Sequence, residues 1–259
     1  MKFENVRVYN FEGAFRGMRN PKNSWALSDS VFGISGSDEF YGIIFTDFMQ
    51  SLENGSDMEL HRYYLTNGEI NNNNQAIEYA LIGPKDMKLA QTLIAGGSEH
   101  RKFLRQIGVC VDITAPMYWF SEFDTYKVGT VANSTSKMHK LTSKPITIDC
   151  FEIDDYNADV CGDNVLKMAE WLESLRLKYL ETNDKKYWKE LVRCLPESWL
   201  QTRTVTMNYE NLLSIYHQRK NHKLNEWSGK DNPSKPNFMS FIDSLPYAND
   251  LIKFSKDTL

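Results

Sequence analysis

Long hydrophobic runs, clustered cysteines and an excess of one charge are all missing from this sequence of 259 residues. No apolar stretch approaches the roughly 20 residues that span a bilayer. The first ten residues also lack the apolar region of a signal peptide. These absences predict a cytoplasmic protein that has no membrane partner.

The four cysteines are spread along the chain and form no C-x-x-C pair; they are Cys110, Cys150, Cys161 and Cys194. This spacing argues against a disulfide framework or a zinc ribbon and favours reduced thiols in the core. His217 and His222 are five residues apart, about 140° around a helix, so they do not present one face to a metal ion. We expect no metal site.

The charge balance is mildly acidic, with a net charge of -4, whereas a protein that binds duplex nucleic acid is expected to be strongly basic. The segment from His217 to Pro236 differs, because it has five lysines and arginines against two acidic residues. A small anion suits this segment better than a duplex. Phosphate-loop, dinucleotide-binding, nucleophile-elbow and zinc-protease motifs are absent.

The hydrophobic pattern predicts an α+β fold, and no shift in composition marks a linker, so residues 1–259 are expected to form a single domain. Strands are predicted for residues 1–10 and 106–113. Helices are predicted for residues 38–52, from Pro84 to Gly96, from Ala115 to Phe123, across Leu166–Leu180, across Tyr187–Val192, and from Met207 through Arg219. Residues 10–30, 71–75 and 195–198 are expected to be irregular.

A first polar block contains the segment TVANSTSKMH, from Thr130 to His139. Its hydroxyls, backbone N–H groups and Lys137 are suited to wrapping a phosphate group. The alternative is an ordinary solvated loop of serines and threonines.

A second block, from Leu195 to Trp227, places Tyr209, Tyr216, Arg219 and Lys223 at spacings of seven, three and four. Side chains at these spacings share one face of a helix. Aromatic rings beside a guanidinium suit a planar anionic ligand. The alternative is an aromatic core stripe with an arginine at the surface.

The two blocks, in this order, resemble the flavin-dependent thymidylate synthases. That family carries the signature R-H-R-x-x-S-x-x-x-x-S-x-R-Y after an Ala-Pro turn, which here resembles residues 114–118. The signature falls on residues 125–138. Hydroxyls are kept at Thr130 and Thr135 and cations at Lys127 and Lys137, whereas Thr125, Tyr126 and Met138 replace the first arginine, the histidine and the tyrosine.

The later family pattern is similar to Leu195-Pro196, Asn208 and Arg219. Glu210 replaces a family arginine and Asn225 a glutamine. The resemblance, over about residues 85–230, is therefore that of a divergent member, with a phage-type member as one alternative. Glu210 is expected to repel an anion unless a lysine neutralises it.

The resemblance implies that FAD is the cofactor, with NADPH and methylenetetrahydrofolate as co-substrates, for reductive C5 methylation of dUMP or a related pyrimidine nucleotide. Arg219 would be catalytic, polarising the pyrimidine ring. The implied substrate-binding residues are Thr135, Ser136, Lys137 and Tyr216. The implied cofactor-binding residues are His100, Tyr126, Lys127 and Asn208.

The resemblance also implies a homotetramer whose sites are shared between subunits. The aromatic helix from Ala115 to Phe123 supports this, because it carries more apolar surface than we expect one chain to bury. Two alternatives remain: a non-catalytic relative that binds nucleotides or acts in assembly, and an unrelated helical binding module.

Overall fold

The computed structural model describes residues 1–35, 60–64, 77–153 and 156–255. It contains both strands and helices, which confirms the predicted α+β class. The strands are β1 (Lys2–Tyr9), β2 (Val31–Ser35), β3 (Leu60–Tyr64), β4 (Ile77–Leu81), β5 (Gly108–Pro116), β6 (Val131–Ser134) and β7 (Leu200–Asn208). The α-helices are α1 (Phe11–Arg19), α2 (Pro84–Ala95), α3 (Met117–Phe123), α4 (Lys137–Lys140), α5 (Ala158–Cys161), α6 (Asn164–Thr182), α7 (Lys185–Arg193), α8 (Tyr209–Arg219), α9 (Asn225–Ser228) and α10 (Phe238–Asp243). Short 3₁₀ helices cover Asn20–Lys22, Trp25–Leu27, Lys102–Gln106 and Ile148–Cys150, and a π-helix covers Ala248–Ile252.

The described strands form two sheets. One has the strand order β1-β5-β7-β6 and the other the order β2-β4-β3. In the second sheet β2 and β3 both run antiparallel to β4, and Leu81 lies opposite Val31 on one side and Leu60 on the other. Within the described residues β6 is an edge strand, and all four of its residues are exposed. The hydroxyl-rich segment that follows β6 therefore begins at a sheet edge.

Several predicted helices are confirmed, and their ends have local causes. Helix α2 begins at Pro84 and ends before Gly96. A proline at the first position of a helix and a glycine just after its last residue both favour these ends. Helices α3, α6 and α7 occupy the predicted segments, and β5 overlaps the predicted strand at residues 106–113.

Two predictions of local structure are wrong. Residues 10–30 contain α1, in which Phe11, Phe15 and Met18 are buried at spacings of four and three, a helical pattern hidden among glycines and arginines. Met207 lies in β7 and not in a helix, because the alternating burial of residues 200–208 is that of a strand. The predicted helix at residues 38–52 and loop at residues 71–75 lie outside the described residues.

The contact pattern divides the chain into two compact units. Unit 1 contains Met1–Lys2, Ile113–Thr125 and Ala132–Thr204; unit 2 contains Phe3–Asp112, Tyr126–Val131 and Val205–Leu259. The proposal of one domain over residues 1–259 stays a prediction. In unit 1 one cluster of buried side chains is formed by Leu141, Ile146, Phe151, Ala169, Leu172 and Leu191. In unit 2 the largest fully buried side chains include Phe11, Phe15, Leu104, Tyr209, Trp227 and Phe238.

Helix α3 does not present the apolar surface that the sequence suggested. Trp119 and Phe120 are fully buried within unit 1 and Phe123 is 2 % exposed. The Trp119 and Phe123 rings stack with their centroids 5.1 Å apart. The expectation that α3 forms a subunit contact is therefore wrong in its premise, because its aromatic rings are already covered within the chain.

The cysteines are free, as expected, and all four are half-buried. Cys150 and Cys194 pack against the buried cluster of unit 1. No helix in the described part of the chain has both the length and the apolar character needed to cross a membrane.

Candidate functional site

Asn208 fixes the start of α8 and the turn beside it. Its side-chain oxygen accepts from the Asn211 backbone N–H at 3.0 Å, and the Asn211 side chain accepts from the Asn208 N–H at 3.2 Å. Asn211 Nδ2 also donates to the Val128 carbonyl at 2.7 Å. Gly129 has φ +80°, and a Cβ there would lie 3.0 Å from Asn208 Nδ2. Glycine suits this position because φ is positive and a Cβ would crowd the Asn208 side chain. The turn that contains Lys127 therefore lies beside Asn208.

Arg219 is held by Tyr126, the residue that replaces the family's histidine. Arg219 Nε donates to the Tyr126 hydroxyl at 2.8 Å, and that hydroxyl donates to Gln218 Oε1 at 3.1 Å. The guanidinium carbon lies 5.0 Å from the centroid of the Trp227 ring and 5.6 Å from that of Tyr126. Cation–π contacts with two rings and a hydrogen bond at Nε together restrict the orientation of this guanidinium.

Sequence reasoning missed Trp227 and Gln218 as parts of this arrangement. Trp227 is fully buried, and its ring meets Tyr126 at 6.3 Å and His222 at 6.4 Å between centroids. The available signal was a tryptophan eight residues after Arg219 in the same polar block.

Of the two tyrosines expected beside Arg219, one lies elsewhere. Tyr209 is a core residue, because it is fully buried, packs edge-on against Phe11 at 5.5 Å and donates its hydroxyl to the Pro246 carbonyl at 2.8 Å. Burial raises the pKa of the Tyr209 hydroxyl well above its ordinary value. Tyr216 is half-buried and pairs with the His217 ring at 5.2 Å. The alternative of an aromatic core residue is correct for Tyr209.

Lys127 and His100, two of the residues predicted to bind the cofactor, are exposed. Lys127 forms no ion pair among the described residues, and it follows Tyr126 in the turn held by Asn208 and Asn211. His100 lies beyond the C-terminal end of α2, with its ring against Gly96. The structure thus brings Tyr126, Asn208, Lys127 and Arg219 to the start and end of α8, with His100 in a separate turn.

Glu210 is neutralised, but by arginines and not by a lysine. Arg101 Nε lies 3.3 Å from Glu210 Oε1, and Arg105 pairs with the same carboxylate through Nε and through Nη2. Burial acts to raise the pKa of the Glu210 carboxyl, but the hydrogen bonds from Arg105 and Arg101 outweigh it and the pKa is lowered. The spacing of Arg101 and Arg105, four residues apart beside His100, was the sequence signal for this pair.

In unit 1, hydrogen bonds to the Thr135 backbone hold residues 135–137 in place, while the side chains of Thr135 and Lys137 remain accessible to solvent. The Thr135 N–H donates to the Thr202 carbonyl at 2.9 Å, and the Thr135 carbonyl accepts from Gln201 Nε2 at 2.8 Å. Ser136 caps α4 by accepting from the His139 N–H at 3.2 Å. Thr135 is exposed, and Lys137 is half-buried and has no ion pair among the described residues.

Gln201 is itself held by Arg203, which is 9 % exposed. Arg203 Nε donates to Gln201 Oε1 at 3.0 Å, and Arg203 Nη1 pairs with Asp124 at 2.8 Å. The guanidinium carbon lies 3.9 Å from the Phe120 ring centroid. A buried arginine thus supports the glutamine that orders Thr135, a role that the sequence analysis did not assign.

Within the described ranges, no three His, Cys, Asp or Glu side chains are close enough to hold a metal ion. The donor set therefore consists of cations, hydroxyls, amides and aromatic rings. This chemistry suits planar anionic organic ligands.

No family model and no curated protein matches the sequence. Solved structures do match. Two crystal structures of the flavin-dependent thymidylate synthase ThyX from Helicobacter pylori, both with FAD and dUMP, align with a TM-score of 0.60 at 14 % sequence identity. The alignments cover 99 % of this chain and 100 % and 98 % of the other chains. The chain therefore has the fold of the flavin-dependent thymidylate synthases.

Proposed function

We propose that this protein is a flavin-dependent enzyme that reductively methylates C5 of a pyrimidine nucleotide, dUMP or a variant, with methylenetetrahydrofolate as one-carbon donor. The shared fold supports the reaction class. The observation that carries the proposal is Arg219, fixed by Tyr126 and Trp227 at the end of α8. Arg219 is the position where the resemblance places a ring-contacting arginine.

The proposed role of Arg219 is electrostatic. A guanidinium that is already oriented before the substrate binds stabilises negative charge developing on a ring carbonyl without reorganising in the transition state. Tyr126 supports this role as a positioning residue, because its hydroxyl occupies Nε and restrains rotation of the guanidinium. Tyr216 remains a proposed substrate contact, on the preceding turn of α8.

The donors present fit FAD as the proposed cofactor. Lys127 has an unpaired ammonium among the described residues, and no hydrogen bond there uses Asn208 Nδ2. A cation and an amide donor beside an aromatic residue suit a flavin that carries phosphates. FAD would supply the reducing equivalents, which NADPH would restore. Lys127, Asn208, Tyr126 and His100 would hold it.

The proposed nucleotide-phosphate residues are Thr135, Ser136 and Lys137. The exposed Thr135 hydroxyl and the Lys137 ammonium are suitable donors to a phosphate. Glu210 is no obstacle to an anion, since two arginines neutralise it.

The homotetramer and the cytoplasmic location belong to the same proposal. They rest on the family resemblance, since α3 no longer supports a subunit interface. Light scattering that gives a mass near four chains would support the tetramer, and a stable monomer at micromolar concentration would contradict it.

The second candidate is a non-catalytic relative that binds a nucleotide or acts in assembly. The replacement of family arginines by Thr125 and Glu210 favours it. Colour distinguishes the two candidates. A purified protein that is yellow, or that becomes yellow with added FAD, supports the enzyme, and a protein that takes up no FAD leaves only the second candidate.

Arg219→Lys is the sharper test. We expect it to weaken nucleotide binding about ten-fold or more, corresponding to about 1.4 kcal/mol, because lysine keeps the charge but loses the planar fork. Calorimetric titration with dUMP, dCMP, UMP and dTMP measures the effect. Arg193→Lys, in an exposed pair with Glu190, is the matched control and should bind normally. Equal affinities of wild type and Arg219→Lys, or no binding by the wild type, would remove Arg219 from the site.

A further inference from the structure

A cavity of about 160 Å³ lies beside α1 in unit 2. Its apolar walls are the side chains of Phe15, Trp25 and Phe32. Phe15 is 1 % exposed and Phe32 is half-buried, and the centroids of their rings lie 6.1 Å apart. An engineered cavity of roughly 150 Å³ with apolar walls holds a benzene molecule. The cavity beside α1 is therefore large enough for one six-membered ring.

Hydrogen bonds hold the Trp25 wall of the cavity in place. Trp25 Nε1 donates to Asn20 Oδ1 at 2.8 Å. The Ser24 N–H donates to the Arg19 carbonyl at 3.2 Å, and Arg19 Nη1 donates to the Ser24 carbonyl at 3.2 Å. The Trp25 side chain nevertheless remains 46 % exposed. An apolar group that covers this ring removes apolar surface from water, and the cost of ordering the ring is small because the ring is already held.

Two opposite charges lie at the solvent side of the cavity. Glu12 and Arg16 both line it, and both residues are exposed. They are four residues apart on α1, so their Cβ atoms are about 6 Å apart, a spacing that favours an ion pair. Among the residues that the structure describes, however, neither side chain forms an ion pair or a hydrogen bond. The carboxylate and the guanidinium are therefore both available to a ligand.

Arg19, the other charged residue of the lining, is already neutralised. Its guanidinium is 6 % exposed, and Nε donates to Asp86 Oδ1 at 2.6 Å. Ser28, which also lines the cavity, donates its hydroxyl to the same carboxylate. The charges that remain for a ligand are those of Glu12 and Arg16, and their sum is zero. A ligand of zero net charge that carries a separate cation and anion complements this pair.

We propose that this cavity binds a free α-amino acid whose apolar side chain is no larger than that of phenylalanine. Arg16 binds the carboxylate through two parallel N–H groups, and Glu12 binds the ammonium. Both groups of an α-amino acid are attached to one carbon, so they reach two side chains that are one helical turn apart. The apolar side chain lies between Phe15, Trp25 and Phe32. None of these residues is assigned above to the nucleotide or to FAD, so the proposal goes beyond the proposed reaction.

Calorimetric titration of the full chain with L-phenylalanine tests the proposal. Two analogues each lack one charged group: phenethylamine has no carboxylate, and 3-phenylpropionate has no ammonium. Each should bind about ten-fold or more weakly than L-phenylalanine, because each loses a charge-assisted contact. L-Tryptophan, with its larger indole ring, should also bind more weakly. No binding of L-phenylalanine, or an analogue that binds as tightly as L-phenylalanine, would overturn the proposal.

Matched variants assign the two charged contacts. Arg16→Gln should weaken binding of L-phenylalanine about ten-fold or more and leave the weaker binding of phenethylamine unchanged. Glu12→Gln should weaken L-phenylalanine in the same way and leave 3-phenylpropionate unchanged. The controls are Arg7→Gln and Glu4→Gln, which remove the same charges from exposed positions of β1 and should bind as the wild type does. Equal weakening in a variant and its control would contradict the assignment and overturn the proposal.

Trp25 reports directly on occupancy of the cavity. L-phenylalanine should change the tryptophan fluorescence, and Trp25→Phe should lose that change, which assigns it to one of the six tryptophans. Trp25→Ala should weaken binding about ten-fold or more, whereas Leu27→Ala, at a 64 % exposed position of the same 3₁₀ helix, should not. If Trp25→Ala unfolds, Trp25→Phe keeps an aromatic wall and should still bind. Equal weakening in Trp25→Ala and Leu27→Ala would overturn the proposal. These readouts require neither flavin nor nucleotide, so their failure is separate from failure of the proposed reaction.

Discussion

Replacing Asp86 by asparagine tests a buried ion pair of unit 2. Asp86 is fully buried and Arg19 is 6 % exposed. Asp86 Oδ1 accepts from Arg19 Nε at 2.6 Å, and Oδ2 accepts from the hydroxyls of Ser28 and of Ser30, the latter at 2.6 Å. The carboxylate therefore ties α1 and the segment before β2 to the first turn of α2.

Asp86→Asn keeps the shape of the side chain but leaves the Arg19 guanidinium buried without an anion. Breaking a buried pair by removing one partner costs about 3–5 kcal/mol. For a chain of this size each kcal/mol lowers the melting temperature by about 2–4 °C, so we expect a decrease of roughly 6–20 °C. The control is Asp163→Asn, an exposed aspartate before α6 whose side chain makes no capping hydrogen bond. It should change the free energy of unfolding by less than about 0.5 kcal/mol.

Urea unfolding followed by circular dichroism measures these energies, and a double-mutant cycle isolates the pair. Arg19→Met combined with Asp86→Leu removes both charges, so the double variant should be more stable than the sum of the two single losses predicts, by about 2 kcal/mol or more. Losses that add to within about 0.5 kcal/mol would refute the reasoning, because independent sites behave in that way.

Three further predictions concern single positions. Glu173→Gln should cost about 1–3 kcal/mol of unfolding free energy, because Glu173 bonds the nearly buried Arg176 at 2.7 and 2.8 Å, whereas the exposed Glu170→Gln should cost almost nothing. The hydrogen bond from Arg176 lowers the pKa of Glu173, so the stability that Glu173 contributes is fully present above pH 4.5, the ordinary pKa of a glutamate. The difference in unfolding free energy between wild type and Glu173→Gln should therefore shrink as the pH falls below 4.5. Gly129→Ala should cost about 1–2 kcal/mol in thermal unfolding because of its positive φ, and an unchanged melting temperature would contradict this. Burial lowers the pKa of His217, so folding favours its neutral form. The wild type should therefore lose stability relative to His217→Gln as the pH falls below 6.5, and parallel pH profiles would contradict this.

The Arg219 arrangement shows how far sequence reasoning reaches at a site. The hydrophobic pattern predicted a helix from Met207 through Arg219, and α8 runs from Tyr209 to Arg219. It did not reveal Trp227 or the Tyr126 hydroxyl as partners of the guanidinium. Tyr126 is 93 positions from Arg219 along the chain, so only the folded chain brings them together.

The sequence by itself determined the elements whose ends depend on neighbouring residues. Pro84 and Gly96 bound α2, and the reciprocal Asn208 and Asn211 bonds start α8, because capping uses groups within one turn. Helical spacing also marked α6, but the same criterion misplaced Met207, since whether an apolar residue belongs to a strand or a helix depends on the strands beside it.

Only the tertiary structure decided how the charges and rings are used. Glu210 looked like an obstacle to an anion until Arg101 and Arg105, more than 100 positions away in sequence, were found to neutralise it. Tyr209 had the spacing of a ligand-facing residue, yet its hydroxyl bonds Pro246 inside the core. Electrostatic pairing and burial depend on distances in space, and helical periodicity gives the direction of a side chain but not what lies opposite it.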